Sequence, residues 1–318
     1  DQSIPLALQG RDIIGIANTG TGKTAAFAIP VLNKLITKTG YGVLIVAPTR
    51  ELAEQIEVEL RSIAKGSGLT GALLIGGSSM GRQLGDLRHK PRVIVGTPGR
   101  IKDHLERVTL NLTHFDNVVL DEVDRMLDMG FLPDMRFILQ KLPADRQSYF
   151  FSATFDAKVR TIIDEFSNDP VMISVKTGDT ADNVHQNVVH YNGKEDKIAK
   201  LHDALLQSSI ENGKYIVFDD TKHSVERLGK ELVVRGFKAE SIHGGKTQGQ
   251  RQRALRAFKE NKISILVATD VAARGIDVPD VTHVINYSTP QTYEDYVHRI
   301  GRAGRAGKIG HALTFLEQ

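Results

Sequence analysis

Short apolar runs rich in β-branched residues alternate along almost the whole chain with segments whose apolar positions recur every three or four residues. The runs Ile13 to Ile16, Val43 to Ala47, Ala72 to Ile75, Val93 to Gly96, Val118 to Leu120, Ser148 to Ser152 and Val171 to Val175 predict strands. Between them lie helical patterns such as Leu52, Ile56, Leu60 and Ile63, spaced to line one face. A second series of strands follows: Val184 to Tyr191, Tyr215 to Phe218, Ile263 to Ala268, Val284 to Tyr287 and Ala312 to Phe315. Helical spacing separates these too, in Leu255 with Phe258 and in Tyr293, Val297 and Ile300. For the last helix, Thr289 reads as the N-cap, Pro290 as its first residue and Gly301 as its end. This alternation predicts an α/β protein with two tandem domains, each a mostly parallel sheet flanked by helices. The polar, turn-rich stretch KTGDTADN, Lys176 to Asn183, marks the joint. The expected division is therefore a domain at 1–176, a linker at 177–183 and a domain at 184–318.

Composition narrows the class. With 318 residues, 41% hydrophobic and 25% charged, the chain has the profile of a soluble globular protein and the length for two cores. Zero cysteines exclude disulfides and thiolate metal sites, which fits a reducing compartment. No apolar run reaches the roughly 18 residues that span a bilayer, and DQSIPLALQG lacks a signal-peptide layout, so the expectation is a cytoplasmic protein with no membrane partner. A net charge of +3 gives no global field for nucleic acid, so basic surface must be local. The stretch from Lys246 to Lys262 carries Lys246, Arg251, Arg253, Arg256, Lys259 and Lys262 against one acid, Glu260, and suits a solvated helix face as well as a phosphate contact.

The strongest chemistry sits at Ala17 to Thr24, ANTGTGKT, between the apolar run at Ile13 and a helical segment. A phosphate chain needs backbone N–H groups at close range, and Gly20 and Gly22 remove the Cβ atoms that would block it. A helix beginning near Lys23 adds unpaired N–H donors and its positive dipole end. Lys23 supplies charge for the β and γ phosphates and the Thr24 hydroxyl suits Mg²⁺; only Ala17 departs from the phosphate-loop pattern. No second phosphate loop follows, so one nucleotide site is expected.

Hydrolysis needs more than binding. The run Val118 to Leu120 leads into Asp121, Glu122, Val123 and Asp124, placing adjacent carboxylates at the ligand end of a strand. One can hold the metal while its neighbour orients or deprotonates water. Such pairs also occur as plain helix caps; behind a phosphate loop they gain weight. Ser152, Ala153 and Thr154 alone read as a turn. Near the C-terminus, His298 to Arg305 spells HRIGRAGR, whose arginines suit either a basic loop or the stabilisation of a γ phosphate.

Taken together, ANTGTGKT, PTREL (Pro48 to Leu52), Gly76-Gly77, TPGR (Thr97 to Arg100), DEVD, SAT, HGGKTQGQR (His243 to Arg251), ATDVAARGID (Ala268 to Asp277) and HRIGRAGR resemble a DEAD-box ATP-dependent RNA helicase core over nearly the entire chain. The resemblance implies two RecA-like domains that close on ATP, Mg²⁺ and single-stranded RNA or a short RNA duplex. It implies that Thr19, Gly20, Thr21, Gly22, Lys23 and Thr24 hold nucleotide, that Thr24 and Asp121 hold Mg²⁺, and that Glu122 serves as base. Arg302 and Arg305 would be arginine fingers and Asp277 a ribose contact, while Ser152, Thr154, Asp124 and His298 couple hydrolysis to closure. RNA contacts carry over onto Pro48, Thr49, Arg50, Gly77, Thr97 and Arg100, and onto Gln248, Arg251 and Thr269. Arg251 then reads as a phosphate contact, with Arg253, Arg256 and Lys259 left as surface.

Three departures stand beside these matches. Val123 replaces alanine in the acidic motif, which implies a packing adjustment, and Ala303 replaces a usual threonine. The glutamine by which family members recognise adenine stands five residues before the proline matching Pro5, ahead of Asp1; Gln2 is not its equivalent. The expected activity is RNA-stimulated ATP hydrolysis coupled to interdomain closure and local, non-processive unwinding. The alternatives are an ATP-dependent RNA clamp without unwinding and a DNA translocase, since residues alone do not show that a 2′-OH is read.

Overall fold

A strand buried on both faces reads as a continuous apolar run, and such strands pair in parallel beneath helices. The computed structural model describes residues 2–17, 21–38, 40–175, 183–207, 213–273, 278, 280–304 and 308–318, and forms two compact units, 1–176 and 177–318.

The first unit begins with α1 (Ser3–Leu8), β1 (Ile13–Ile16), α2 (Lys23–Thr37), β2 (Val43–Val46), α3 (Arg50–Ile63), β3 (Gly71–Leu74), α4 (Met80–Arg88) and β4 (Val93–Gly96). It continues with α5 (Pro98–Glu106), β5 (Asn117–Leu120), α6 (Val123–Asp128), α7 (Leu132–Leu139), β6 (Gln147–Ser152), α8 (Ala157–Phe166) and β7 (Val171–Ser174). Its seven strands pair in the order β3-β4-β2-β5-β6-β1-β7, every pair parallel. Alternate residues of each strand feed opposite cores. Leu44, Val46, Val118, Leu120 and Phe150 pack with side chains of α5 to α8, whereas Val43, Ile45, Val119, Tyr149 and Phe151 pack with those of α1 to α3. Val123 is fully buried in the first of these layers, so the acidic motif's departure from alanine is absorbed by the core.

The second unit runs β8 (Val184–Tyr191), α9 (Gly193–Gln207), β9 (Tyr215–Phe218), α10 (Lys222–Val234), β10 (Ala239–Ile242), α11 (Gln248–Lys259), β11 (Ile265–Ala268), α12 (Asp270–Ala273), β12 (His283–Asn286), α13 (Tyr293–Ile300) and β13 (Gly310–Glu317). Its strand order is β10-β11-β9-β12-β13-β8, again all parallel. Two helical layers cover it: α11 and α13 with Phe258 and Ile300, α9 and α10 with Leu201 and Leu232.

The periodicity locates twelve of these strands to within two or three residues at each end and misses β10. That strand reads Ala-Glu-Ser-Ile, lies at the sheet edge and exposes Glu240, so it carries no apolar run. The helix expected to start after Thr289 starts at Tyr293. Thr292 is its cap, accepting from the Asp295 N–H at 3.0 Å, while the Thr289 hydroxyl donates to the Phe315 carbonyl at 3.4 Å and Pro290 lies in the loop before the helix. Gly301 ends it as expected. No described helix is long and apolar enough to cross a membrane.

Strand packing leaves no room at Gly96, where a Cβ would stand 2.5 Å from the Leu74 carbonyl oxygen and 3.0 Å from Ile101. The Gly96→Ala variant is expected to lose about 1 to 3 kcal/mol of first-unit stability, read as a lower urea midpoint at unchanged slope.

Candidate nucleotide and nucleic-acid sites

Parallel strands deliver their C-terminal residues to one edge, and the first unit's candidate residues all follow strand ends. β1 runs on into Ala17, whose N–H donates to the Ser152 carbonyl at 3.0 Å. Thr19 and Gly20 lie outside the described residues. Gly22 takes a left-handed φ of 82° as the N-cap of α2, so Lys23 and Thr24 open the helix, where its free N–H groups and dipole favour an anion. Lys23 Nζ lies 3.9 Å from Asp121 Oδ1, and both side chains are buried. The Asp121 N–H donates to the Val46 carbonyl at 3.0 Å, extending the pairing of β5 with β2 by one residue.

Glu122 turns the chain from strand to helix in one step. Its φ of 54° is left-handed, its N–H donates to Asp121 Oδ1 at 3.0 Å, and its carboxylate pairs with Arg125. Burial pushes the Asp121 carboxyl up to about 6; Lys23 opposes this and the neighbouring Glu122 adds to it. Among the described residues no cluster of three or more His, Asp or Glu side chains forms a metal cage. The Asp121 carboxylate, buried at the strand end, is an oxygen donor of the kind that suits a hard cation keeping waters and phosphate oxygens.

Asp124 ties this strand end to the next. Its Oδ2 accepts from the Ala153 N–H (3.0 Å), the Thr154 N–H (2.9 Å) and the Thr154 hydroxyl (3.2 Å), and its Oδ1 from the Arg125 N–H (2.9 Å). In return the Asp124 N–H donates to Ser152 Oγ at 3.3 Å. Ser152, Thr154 and Asp124, far apart in sequence, form one interlocked turn.

The other half of the edge is basic and glycine-rich. Thr49 caps α3, accepting from the Leu52 N–H at 3.3 Å, and follows the buried Pro48. The Arg50 guanidinium lies against Gly76 and Gly77; a Cβ on Gly77, whose φ is 77°, would sit 2.3 Å from Nη1. The Thr97 N–H donates to the Leu74 carbonyl at 3.0 Å, and Pro98 opens α5. Arg100 Nη1 donates to the Ser78 carbonyl at 3.4 Å. The ends of β2, β3 and β4 therefore bring Thr49, Arg50, Gly77, Thr97 and Arg100 together.

In the second unit, Thr247 and Gln250 form a capping box that starts α11 and buries Gln248 and Arg251. Arg253, Arg256 and Lys259 are exposed, and Arg256 and Lys262 both pair with Glu260, as a solvated face requires. Thr269 follows β11, and its N–H donates to the Ile242 carbonyl at 3.4 Å. Arg302 is buried and donates through Nε to the His298 carbonyl at 3.2 Å; His298 is half-buried. Asp277 and Arg305 lie outside the described residues.

Sequence reasoning passed over Arg299. It is buried, donates from Nε and Nη2 to the two oxygens of Asp270 at 2.7 Å each, and donates from Nη1 to the Ser288 carbonyl at 2.6 Å. Its place beside the core residue Ile300 on a helix was the available signal. Arg125, the partner of Glu122, was missed for want of any pattern.

Residues 1–162 match the DEAD/DEAH box helicase family and residues 196–307 the helicase conserved C-terminal domain. The chain is 47% identical over 321 residues to the ATP-dependent RNA helicase CshA of Listeria monocytogenes, covering 100% of this chain and 61% of that protein. It is 48% identical to the DEAD-box ATP-dependent RNA helicase CshA of Geobacillus kaustophilus, covering 99% of this chain and 67% of that one. Thus the chain spans about three-fifths of the length of the first of these relatives. Among solved structures it is similar to S. cerevisiae Dbp5 bound to RNA and ADP BeF3, with a TM-score of 0.87 at 30% identity over 100% of this chain and 82% of that one. It is also similar to the DEAD-box helicase Mss116 bound to ssRNA and UDP-BeF, with a TM-score of 0.90 at 31% identity over 100% of this chain and 69% of that one.

The interlocked turn yields a direct expectation. Removing the Asp124 carboxylate in Asp124→Ala leaves the N–H groups of Ala153 and Thr154 without their acceptor, a loss of about 2 to 3 kcal/mol in urea denaturation. A change below about 0.5 kcal/mol, the range of ordinary surface substitutions, would remove Asp124 as the tie.

Proposed function

The chain belongs to the DEAD/DEAH-box helicase family, and we propose on that premise that it is an ATP-dependent RNA helicase core of the cytoplasm, coupling RNA-stimulated ATP hydrolysis to closure of its two domains and to local, non-processive unwinding of short duplexes. The proposed parts are a RecA-like ATP-binding domain at 1–176, a linker at 177–183 and a RecA-like helicase domain at 184–318. One observation carries the reading. A single sheet edge bears a buried lysine–aspartate pair beside a glutamate and, across the neighbouring strand ends of β2, β4 and β3, two arginines around a glycine turn.

In this reading the substrate is ATP. Lys23 and the first N–H groups of α2 hold its β and γ phosphates, with Thr19, Gly20, Thr21 and Gly22 forming the loop around them. Thr24 and Asp121 would hold Mg²⁺, which would supply positive charge to offset the charge developing on the phosphates. Glu122, fixed by Arg125, orients the attacking water and takes its proton. Arg302 and Arg305 stabilise charge in the transition state, Asp277 contacts the ribose, and Asp124, Ser152, Thr154 and His298 link turnover to closure. Pro48, Thr49, Arg50, Gly77, Thr97 and Arg100 with Gln248, Arg251 and Thr269 grip the phosphate backbone, which fixes position without reading sequence. That Dbp5 and Mss116 are described with RNA bound supports RNA over DNA as the polymer.

The test is steady-state phosphate release from ATP and Mg²⁺, with and without single-stranded RNA and a matched DNA. RNA is expected to stimulate turnover and DNA not; equal stimulation by both would overturn the choice of polymer. Glu122→Gln is expected to cut turnover by about 10² or more while nucleotide still binds. An unchanged rate would remove Glu122 as the base.

A further inference from the structure

Gln83 on α4 and His104 on α5 are 2% and 0% exposed. Buried polar side chains must be hydrogen-bonded, and here the partners lead to the glycine turn. Gln83 Nε2 lies 3.1 Å from the Ile75 carbonyl oxygen and 3.4 Å from that of Ser78. Both neighbours are acceptors, so the amide nitrogen must face them, and Oε1 then faces His104 Nε2 at 3.3 Å.

That orientation fixes the histidine. Oε1 can only accept, so Nε2 carries the proton. The imidazole is neutral, since burial foremost, then the charge of Arg100, holds it below the ordinary histidine range, with Asp103 in partial opposition. Nδ1 is therefore an acceptor, and the Thr109 hydroxyl stands 2.8 Å away. That hydroxyl also lies 3.0 Å from the His104 carbonyl. The carbonyl already receives the N–H groups of Thr109 and Leu110 at 3.0 and 3.3 Å, which leaves the hydroxyl proton for Nδ1.

We propose that Gln83 and His104 are positioning residues for RNA binding: a one-way hydrogen-bond chain from Thr109 through His104 and Gln83 holds the carbonyls of Ile75 and Ser78, and so fixes the Gly76-Gly77 turn beneath Arg50. The inference rests on the reading of that turn as an RNA-phosphate contact. Ser78 is held from a second side by Arg100 Nη1 at 3.4 Å, so its carbonyl ties Arg100 to the turn against which the Arg50 guanidinium packs. Gly77 can take many backbone conformations, so its positive φ, with the Arg50 guanidinium packed where a Cβ would be, has to be held by neighbouring contacts, and the relay supplies them.

Three variants test this in the full chain. His104→Gln keeps a donor near the Nε2 position; His104→Asn reaches only as far as Nδ1; Gln83→Leu removes both loop contacts. Half-saturating single-stranded RNA in the ATPase assay is expected to rise about 5-fold or more in His104→Asn and Gln83→Leu, the weight of about one hydrogen bond. His104→Gln is expected to stay near wild type, and RNA-free turnover and the KM for ATP to hold in all three. Unchanged RNA dependence in Gln83→Leu and His104→Asn overturns the inference alone, as does equal weakening in both histidine variants, which would mark a structural role. A wild type whose turnover ignores RNA overturns the reading of the site and the inference with it. A measurement independent of variant folding is the imidazole nitrogen spectrum of ¹⁵N-histidine-labelled wild type. A neutral ring protonated at Nε2 is expected for His104, and the Nδ1–H tautomer or an imidazolium would break the chain.

Discussion

All described strands of both sheets run parallel, and this constraint governs where chemistry can occur. A parallel sheet sends every strand end to one edge, and the strand order then decides which ends are neighbours. In the first unit, β3, β4 and β2 carry the glycine turn and the arginines, while β5, β6 and β1 carry the carboxylates, the Asp124 turn and the phosphate loop. The seam falls between β2 and β5, where Val46 pairs with Leu120. Adjacent strands lie about 4.8 Å apart, so the two candidate ligand sites share one rigid ledge.

Along that ledge the cost of burying charge is met by pairing. Asp121 and Glu122 are adjacent, buried and of like sign, an arrangement that repels. Lys23 offsets one and Arg125 the other. Buried ion pairs are weak sources of stability, so four such groups in one place are better explained by what they bind than by what they hold together. Asp124 has the opposite character: its carboxylate is spent on backbone and hydroxyl donors of a neighbouring turn, and it joins two strand ends mechanically.

The architecture was legible because strands buried on both faces must be written as apolar runs, and the phosphate loop and DEVD because their chemistry demands particular residues at fixed spacing. Where the demand was tertiary, the text was silent. β10 has two polar residues because it is an edge. The left-handed turn at Glu122 falls on a residue type that rarely adopts it. Thr292 outcompeted Thr289 as a cap because Asp295 lies three residues beyond it, a pattern that was present but passed over in favour of the proline. Arg299 and the Gln83–His104 pair look like surface residues in one dimension. Their burial is set by partners on other elements, Asp270 in one case and the Ile75 and Ser78 carbonyls in the other.

In the proposed function the nucleotide and RNA sites act as one coupled device, and such coupling is reciprocal by thermodynamic necessity. The most direct measurement is the affinity of a labelled single-stranded RNA with and without a saturating non-hydrolysable ATP analogue and Mg²⁺, paired with the affinity of the analogue with and without RNA. The account expects each ligand to tighten the other by the same factor, about 5-fold or more. Affinities that do not change in either direction would contradict it.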